Sequence, residues 1–79
     1  MKFNEEEREI LLSLKGVGPT VIKRFEEIGI SSFKELKEYS VEEIADRVAD
    51  MLRTTCWKNS PQARSAISNA IEVAKEDRR

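Results

Sequence analysis

The chain has 79 residues, of which 37% are charged and 39% are hydrophobic, and its formal net charge is −1 at pH 7. This length fits one domain, and this balance of residues excludes a disordered chain. No apolar run approaches the ~18 residues that cross a bilayer. The sequence has one cysteine, no histidine and no hydrophobic leader after Met1. We therefore expect a cytoplasmic protein with neither an internal disulfide nor a zinc centre.

The first predicted helix runs from Asn4 to Lys15. Asn4 is a good N-cap, and the acidic residues that follow it suit the positive end of the helix dipole. The apolar positions recur at helical spacing and are Phe3, Ile10, Leu11 and Leu14. We expect Gly16 to end this helix as the C′ residue, where a left-handed backbone is common.

The second predicted helix runs from Pro19 to Ile28. Proline is favoured at the first helical position, because the N–H that it lacks would be unpaired there. The buried stripe of this helix consists of Val21, Ile22, Phe25 and Ile28. Gly29 is expected to end the helix, and Ile30 is expected to fold back onto Phe25 in a Schellman-type contact.

Two capping boxes, in which a serine is followed three residues later by a glutamate, predict two more helix starts. The first predicts a short linking helix over residues 33–39, and the second predicts a helix over residues 41–52. The serine–glutamate pairs are Ser32 with Glu35 and Ser40 with Glu43.

Residues 53–60 show no periodicity and are predicted to form a loop. Trp57 in this loop is expected to pack on the core, with stacking on an unpaired base as the alternative. Cys56 is expected to be a small apolar filler, with a reactive thiol as the alternative. Ser60 as cap and Pro61 at the first position predict the last helix, whose apolar face is mostly alanine.

Together these elements predict an all-α domain over residues 1–79, built from five short helices. The first hairpin spans residues 4–29, the linking helix spans 32–39 and the second hairpin spans 41–76. The second hairpin is degenerate because it lacks a glycine pair, although both second helices begin with a small residue followed by proline.

The stretch from Leu14 to Ile30 resembles the helix-hairpin-helix family. The residues that carry this resemblance are Leu14, Gly16-Val17-Gly18-Pro19, Phe25, Ile28 and Gly29-Ile30. Domains of this family often pair two such motifs around a linking helix. The sequence departs from the family's pattern at Thr20, where lysine is common, and at Ile22, where a small alanine is common.

The resemblance implies sequence-independent binding of DNA, with a phosphate held by backbone amides of the first hairpin. Carried over to this sequence, those amides belong to Gly16, Val17, Gly18, Thr20 and Val21. Some members also bind a monovalent cation through the hairpin carbonyls; no other cofactor is expected. The resemblance further implies an accessory role in DNA repair or recombination.

Elementary electrostatics favours the same site. A helix N-terminus carries about half a positive charge and unpaired amides, which together bind anions. Residues 10–25 and 51–71 contain no acidic side chain. Lys23 and Arg24 are predicted to reach phosphates beside the first hairpin, and Lys58 and Arg64 beside the second. Each of these cations has a solvated helix surface as its alternative.

Two other function classes remain as alternatives. A plain helix–helix turn at Gly16–Pro19 and the acidic stretch 26–50 would suit a protein–protein adaptor that keeps the scaffold without binding DNA. A nuclease is disfavoured, because the sequence offers no histidine base and no metal-ligand spacing. The carboxylates of the helix over 41–52 are expected to be solvated, and we expect no enzymatic activity. Those carboxylates are Glu42, Glu43, Asp46 and Asp50.

Overall fold

The computed structural model describes residues 2–77, so Met1, Arg78 and Arg79 of the predicted domain lie outside the described part. Within residues 2–77 the fold is all-α, as predicted, with no strand. The prediction of five helices is wrong, because this part of the chain forms six. They are α1 (Glu5–Leu12), α2 (Pro19–Glu27), α3 (Phe33–Leu36), α4 (Val41–Leu52), α5 (Cys56–Asn59) and α6 (Pro61–Glu76).

Helix α1 begins as predicted but ends earlier. The Asn4 side chain accepts a hydrogen bond from the Glu7 N–H at 2.8 Å, which confirms the N-cap. At the other end, the Ser13 hydroxyl donates to the Ile10 carbonyl at 2.6 Å. A serine hydroxyl that donates to a carbonyl of the preceding turn competes with the backbone hydrogen bonds of the helix. Lys15 therefore lies beyond the helix, and the prediction that it belongs to the last turn is wrong.

Helix α2 ends in the Schellman motif that the sequence predicts. The Ile30 N–H donates to the Phe25 carbonyl at 2.9 Å, and the Gly29 N–H donates to the Glu26 carbonyl at 3.1 Å. Gly29 has φ +92°, a left-handed backbone that glycine adopts without steric cost. Phe25 and Ile30 are both fully buried. This turn fixes the direction in which the chain leaves the first hairpin.

Helix α4 ends in the same way, although its left-handed residue is an arginine. The Thr54 N–H donates to the Ala49 carbonyl and the Arg53 N–H to the Asp50 carbonyl. Arg53 has φ +55° and is the one non-glycine residue with positive φ among residues 2–77. A side chain in this conformation costs about 1–2 kcal/mol, because its Cβ crowds the following carbonyl.

We expect Arg53→Gly to stabilise the protein. The change removes the strain of the left-handed Cβ, and the greater entropy of glycine in the unfolded chain offsets part of that gain, leaving ~0.5–1 kcal/mol. For a domain of this size, this difference corresponds to a rise in Tm of roughly 2–8 °C. Thermal unfolding followed by circular dichroism measures it, and an unchanged or lower Tm would contradict the assignment of strain.

The predicted serine caps are present at α3, α4 and α6. Ser40 and Glu43 form the complete capping box of α4. At α3 the Ser32 hydroxyl accepts from the Glu35 N–H, but the Glu35 carboxylate accepts from the Ser31 N–H and from the hydroxyls of Ser31 and Ser32. The Ser31 N–H and then its hydroxyl hold the pKa of Glu35 below its usual value. The predicted box at α3 is therefore displaced by one residue.

The core lies where α2, α4 and α6 meet, with Phe3 closing one side. The Phe3 ring makes edge-on contacts with Phe25 and Phe33, with ring centroids 6.4 and 6.5 Å apart. Small residues on α6 allow its neighbours to approach closely. The largest fully buried side chains are Phe25, Leu11, Ile22, Ile30, Leu36, Ile44, Ile67 and Val48.

Two glutamates of the first hairpin bond to backbone amides far away in the sequence. A Glu26 carboxylate oxygen accepts from the Phe3 N–H at 2.9 Å, and a Glu7 carboxylate oxygen accepts from the Phe33 N–H at 3.3 Å. Glu7 is only 7% exposed. These bonds join the N-terminal segment to α2 and α1 to the start of α3. The sequence predicts Glu7 only as a favourable charge at a helix start.

Residues 53–60 contain helix α5, so the predicted loop is partly wrong. Trp57 is half-buried against the core, in agreement with the packing interpretation. Cys56 is exposed, and its sulfur accepts from the Thr54 hydroxyl at 3.2 Å. The prediction that Cys56 fills the core is wrong, because it occupies the first position of α5, whose buried side is taken by Trp57.

No helix within residues 2–77 is long and apolar enough to span a bilayer.

Candidate functional site

The link between α1 and α2 is a tight turn that begins at Leu14. The Val17 N–H donates to the Leu14 carbonyl at 3.2 Å, and Gly16 at the third position of the turn has φ +82°. A turn with positive φ at this position favours glycine. Gly16 is therefore left-handed, but it lies four residues beyond the end of α1. The prediction that it is the C′ residue of that helix is wrong.

Gly18 is the N-cap of α2 and leaves the start of the helix uncapped. Its backbone is extended, with φ −119° and ψ −176°, and no side chain accepts from the first amides of the helix. Pro19 occupies the first helical position, as predicted. A Cβ added at Gly18 would meet nothing within 4 Å. The N-terminus of α2 is thus bordered by open space.

Four of the five predicted amide donors have no acceptor among residues 2–77. They belong to Gly16, Gly18, Thr20 and Val21. The fifth prediction is wrong, because the Val17 N–H is already bonded to the Leu14 carbonyl and the Val17 side chain is only 6% exposed. Val17 anchors the turn in the core. Gly16 and Thr20 are exposed, whereas Gly18 and Val21 are half-buried.

Helix α6 supports this turn from behind. The Asn69 side-chain amide donates to the Lys15 carbonyl at 3.2 Å. A Cβ built on Gly16 would lie 3.9 Å from the Cβ of Ala66, so the turn lies directly against the alanine face of α6. The carbonyls of Leu14 and Gly18 each accept one backbone hydrogen bond as well. The turn is therefore held in place before any ligand arrives.

The cations near the turn differ in their surroundings. Lys15 and Lys23 are exposed and have no ion-pair partner among residues 2–77. Arg24 instead pairs with Glu27, with Nη1 2.7 Å from the carboxylate oxygen. The Arg24 Nε is buried and has no hydrogen-bond partner within the described chain. Lys23 is thus the better placed of the two predicted α2 contacts.

The cations of the second hairpin are bound within the molecule. Lys58 Nζ lies 3.1 Å from the Asp46 carboxylate, and Arg64 pairs with Glu42. Arg64 Nη1 also donates to the Lys58 carbonyl at 3.3 Å. These contacts join α4, α5 and the first turn of α6. The sequence did hold a signal for them, namely the acidic stretch that directly precedes the basic one.

The second hairpin also lacks the amide site of the first. The Ser60 hydroxyl accepts from the Ala63 N–H at 3.2 Å, so the start of α6 is capped by its own side chain. Within residues 2–77, no group of three or more acidic or cysteine side chains has an arrangement that could hold a metal ion. The two hairpins therefore differ chemically, because the helix after the proline has a side-chain cap in the second hairpin and none in the first.

The candidate site thus consists of uncapped amides at a two-glycine turn, supported by α6 and flanked by two unpaired lysines. Comparison of the chain with protein-family models, with curated proteins and with solved structures gives no match. The function is therefore argued from this geometry and from the charges around it.

Proposed function

We propose that this protein binds the phosphate backbone of DNA through its first hairpin, without reading base sequence. The observation that carries this proposal is the set of four unpaired amides in the turn and at the start of α2, which belong to Gly16, Gly18, Thr20 and Val21. A charged oxygen placed there would accept hydrogen bonds from these amides, for which residues 2–77 offer no acceptor. The resemblance of residues 14–30 to helix-hairpin-helix motifs points to the same ligand.

Electrostatics supports an anion at this position. The dipole of α2 adds positive potential at its first turn, and residues 10–25 contain no acid to oppose it. Lys15 and Lys23 are exposed and unpaired, so they can approach phosphates on either side. A phosphate contact through backbone amides positions a protein on DNA but carries no sequence information.

The second hairpin supports the scaffold in this proposal. Lys58 and Arg64 were predicted as DNA contacts, but their charges are already matched by Asp46 and Glu42. Exposed ion pairs contribute only about 0–1 kcal/mol each, so a phosphate could compete for these cations. Competition would nevertheless reduce the gain from each contact. We therefore assign the main contacts to the first hairpin and expect weak binding.

The salt dependence of binding tests this proposal. If about two phosphates are engaged, log affinity should fall with log salt concentration at a slope of roughly −1.8. Dissociation constants should lie in the range of non-specific DNA binding, about 10⁻⁴–10⁻⁶ M. Fluorescence anisotropy with labelled duplex, forked and single-stranded DNA of unrelated sequences measures both quantities. Absence of binding at low salt, or affinities that depend on sequence, would refute the proposal.

The alternative is a protein–protein adaptor. It is favoured by Met51, which is 36% exposed beside Ile28 in a groove that also contains Arg47 and Asp50. An exposed apolar side chain with charges around it is a common feature of protein contacts. An adaptor should show no DNA affinity even at low salt. In either case, an accessory role in DNA repair or recombination is suggested by the family resemblance alone.

A further inference from the structure

We propose that the groove between α1 and α2 holds the next phosphate of the bound strand, with Arg8 as its principal contact. This inference rests on the proposed function, because it extends the path of a strand already bound at the hairpin. It adds Lys2 and Arg8 to the binding surface, neither of which belongs to the helix-hairpin-helix pattern of residues 14–30. The ligand class is the sugar–phosphate backbone of DNA.

The groove begins where the amide site ends. It has a volume of about 590 Å³ and is lined by residues of the N-terminal segment, of α1 and of the first two turns of α2. Pro19, which directly follows the N-cap Gly18, lies in its wall. Phe3, only 5% exposed, contributes a nearly buried apolar surface. A strand that leaves the hairpin on this side therefore passes directly into the groove.

The cations of the groove lack partners, unlike three of the other four arginines within residues 2–77. Lys2, Arg8 and Lys23 line it, and none of them forms an ion pair within residues 2–77. Arg24 and Arg64 are paired with acids, and Arg47 lies over an aromatic ring. Arg8 is half-buried against the wall of the groove. A phosphate here would meet a guanidinium that can form two parallel hydrogen bonds.

The two acids of the groove reduce this attraction but do not cancel it. The Glu26 carboxylate accepts from the Phe3 N–H at 2.9 Å, so one of its oxygens is already bonded within the fold. Glu5 lies in the first turn of α1 and is exposed. With three cations against two acids, the groove remains positive. Lys23 lies four residues after Pro19, about 6 Å along the helix axis, and so connects the groove to the amide site.

The test compares Arg8→Ala with Arg47→Ala, two substitutions that change the net charge equally. Arg47 lies with its guanidinium carbon 5.1 Å from the centroid of the Tyr39 ring, and it lines a different groove. Binding is measured at low salt with a fluorescein-labelled 20-base-pair duplex and a 20-nucleotide single strand. For the form of DNA that the unmodified protein binds more tightly, Arg8→Ala should weaken binding about 3- to 10-fold. It should also make the slope of log affinity against log salt concentration shallower by about 0.9, which corresponds to one phosphate contact. Arg47→Ala should remain within about twofold of the unmodified protein.

A second variant protects the test against misfolding. Lys2 is exposed before the first helix, so Lys2→Ala should leave the fold intact and weaken binding about two- to threefold. If the unmodified protein binds DNA while Arg8→Ala and Lys2→Ala match Arg47→Ala, the groove assignment is overturned and the hairpin proposal stands. If the unmodified protein binds no DNA, both proposals fall.

Discussion

Gly18→Asp should abolish DNA binding while leaving the fold intact. Gly18 is the N-cap of α2 with an extended backbone, and an added Cβ meets nothing within 4 Å. Aspartate is among the preferred N-cap residues, because its carboxylate accepts from the second or third helical amide. That carboxylate would occupy the Thr20 or Val21 N–H and repel a phosphate. Hydrogen bonds to charged groups contribute ~1.5–3 kcal/mol each, so we expect a loss of affinity of ~10- to 150-fold.

The same substitution should slightly stabilise the protein. An aspartate N-cap is a few tenths of a kcal/mol better than glycine, and its interaction with the helix dipole adds ~0.3–1 kcal/mol. Circular dichroism should therefore show an unchanged or higher Tm. A gain in stability together with a loss of binding distinguishes occupation of the site from unfolding.

Two further substitutions at Gly18 separate the causes. Gly18→Asn places a neutral acceptor on the same amides, so it should weaken binding without adding charge. Gly18→Ala adds only a methyl group and leaves the amides unpaired, so its affinity should stay within a few-fold of the unmodified protein. If Gly18→Asp binds DNA as well as the unmodified protein does, the amides are not the phosphate site.

Phe25→Ala should strongly destabilise the protein. Phe25 is fully buried, contacts the Phe3 ring and accepts through its carbonyl the hydrogen bond that closes the turn after α2. Removing a buried phenylalanine costs ~3–5 kcal/mol. A domain of this length has a total stability of roughly 4–12 kcal/mol, so the loss is between about a quarter and all of it. Urea denaturation followed by circular dichroism measures the change.

Leu12→Ala is the matched control for this prediction. Leu12 ends α1 and is 39% exposed, so the same kind of truncation removes little buried surface. We expect a change below about 1 kcal/mol in the free energy of unfolding. Comparable losses for Phe25→Ala and Leu12→Ala would mean that α2 is not anchored as the structure shows.

Local features of the fold were predictable from the sequence. Caps at Asn4 and Ser40, the proline at the first position of α2 and the left-handed Gly29 follow from backbone chemistry within a few residues. Such interactions depend on sequence neighbours, and their spacing is visible in the chain itself. The left-handed Arg53 was not predictable, because its residue type disfavours the conformation that the end of α4 requires.

Contacts between distant segments were not predictable. The sequence predicts Glu7 only as a favourable charge at a helix start, yet its carboxylate reaches the first amide of α3. It placed Lys58 and Arg64 at a DNA surface, yet acids of α4 neutralise both. The acidic stretch before them indicated such pairing but not which residues pair. The hydrogen bond of the Val17 amide depends on how the turn closes, which glycine spacing alone does not determine. Which groups pair across a long separation in sequence is determined only when the helices have packed together.

The hydrogen bond from Asn69 to the Lys15 carbonyl has a consequence for the order of events during synthesis. Its two ends lie 54 residues apart, and the turn rests on Ala66 of the same helix. The α1–α2 segment alone is too short to hold stable helices in water. While the ribosome is still making α6, the glycine turn has no support behind it. The nascent chain should therefore form the proposed phosphate site only once α6 has emerged and docked.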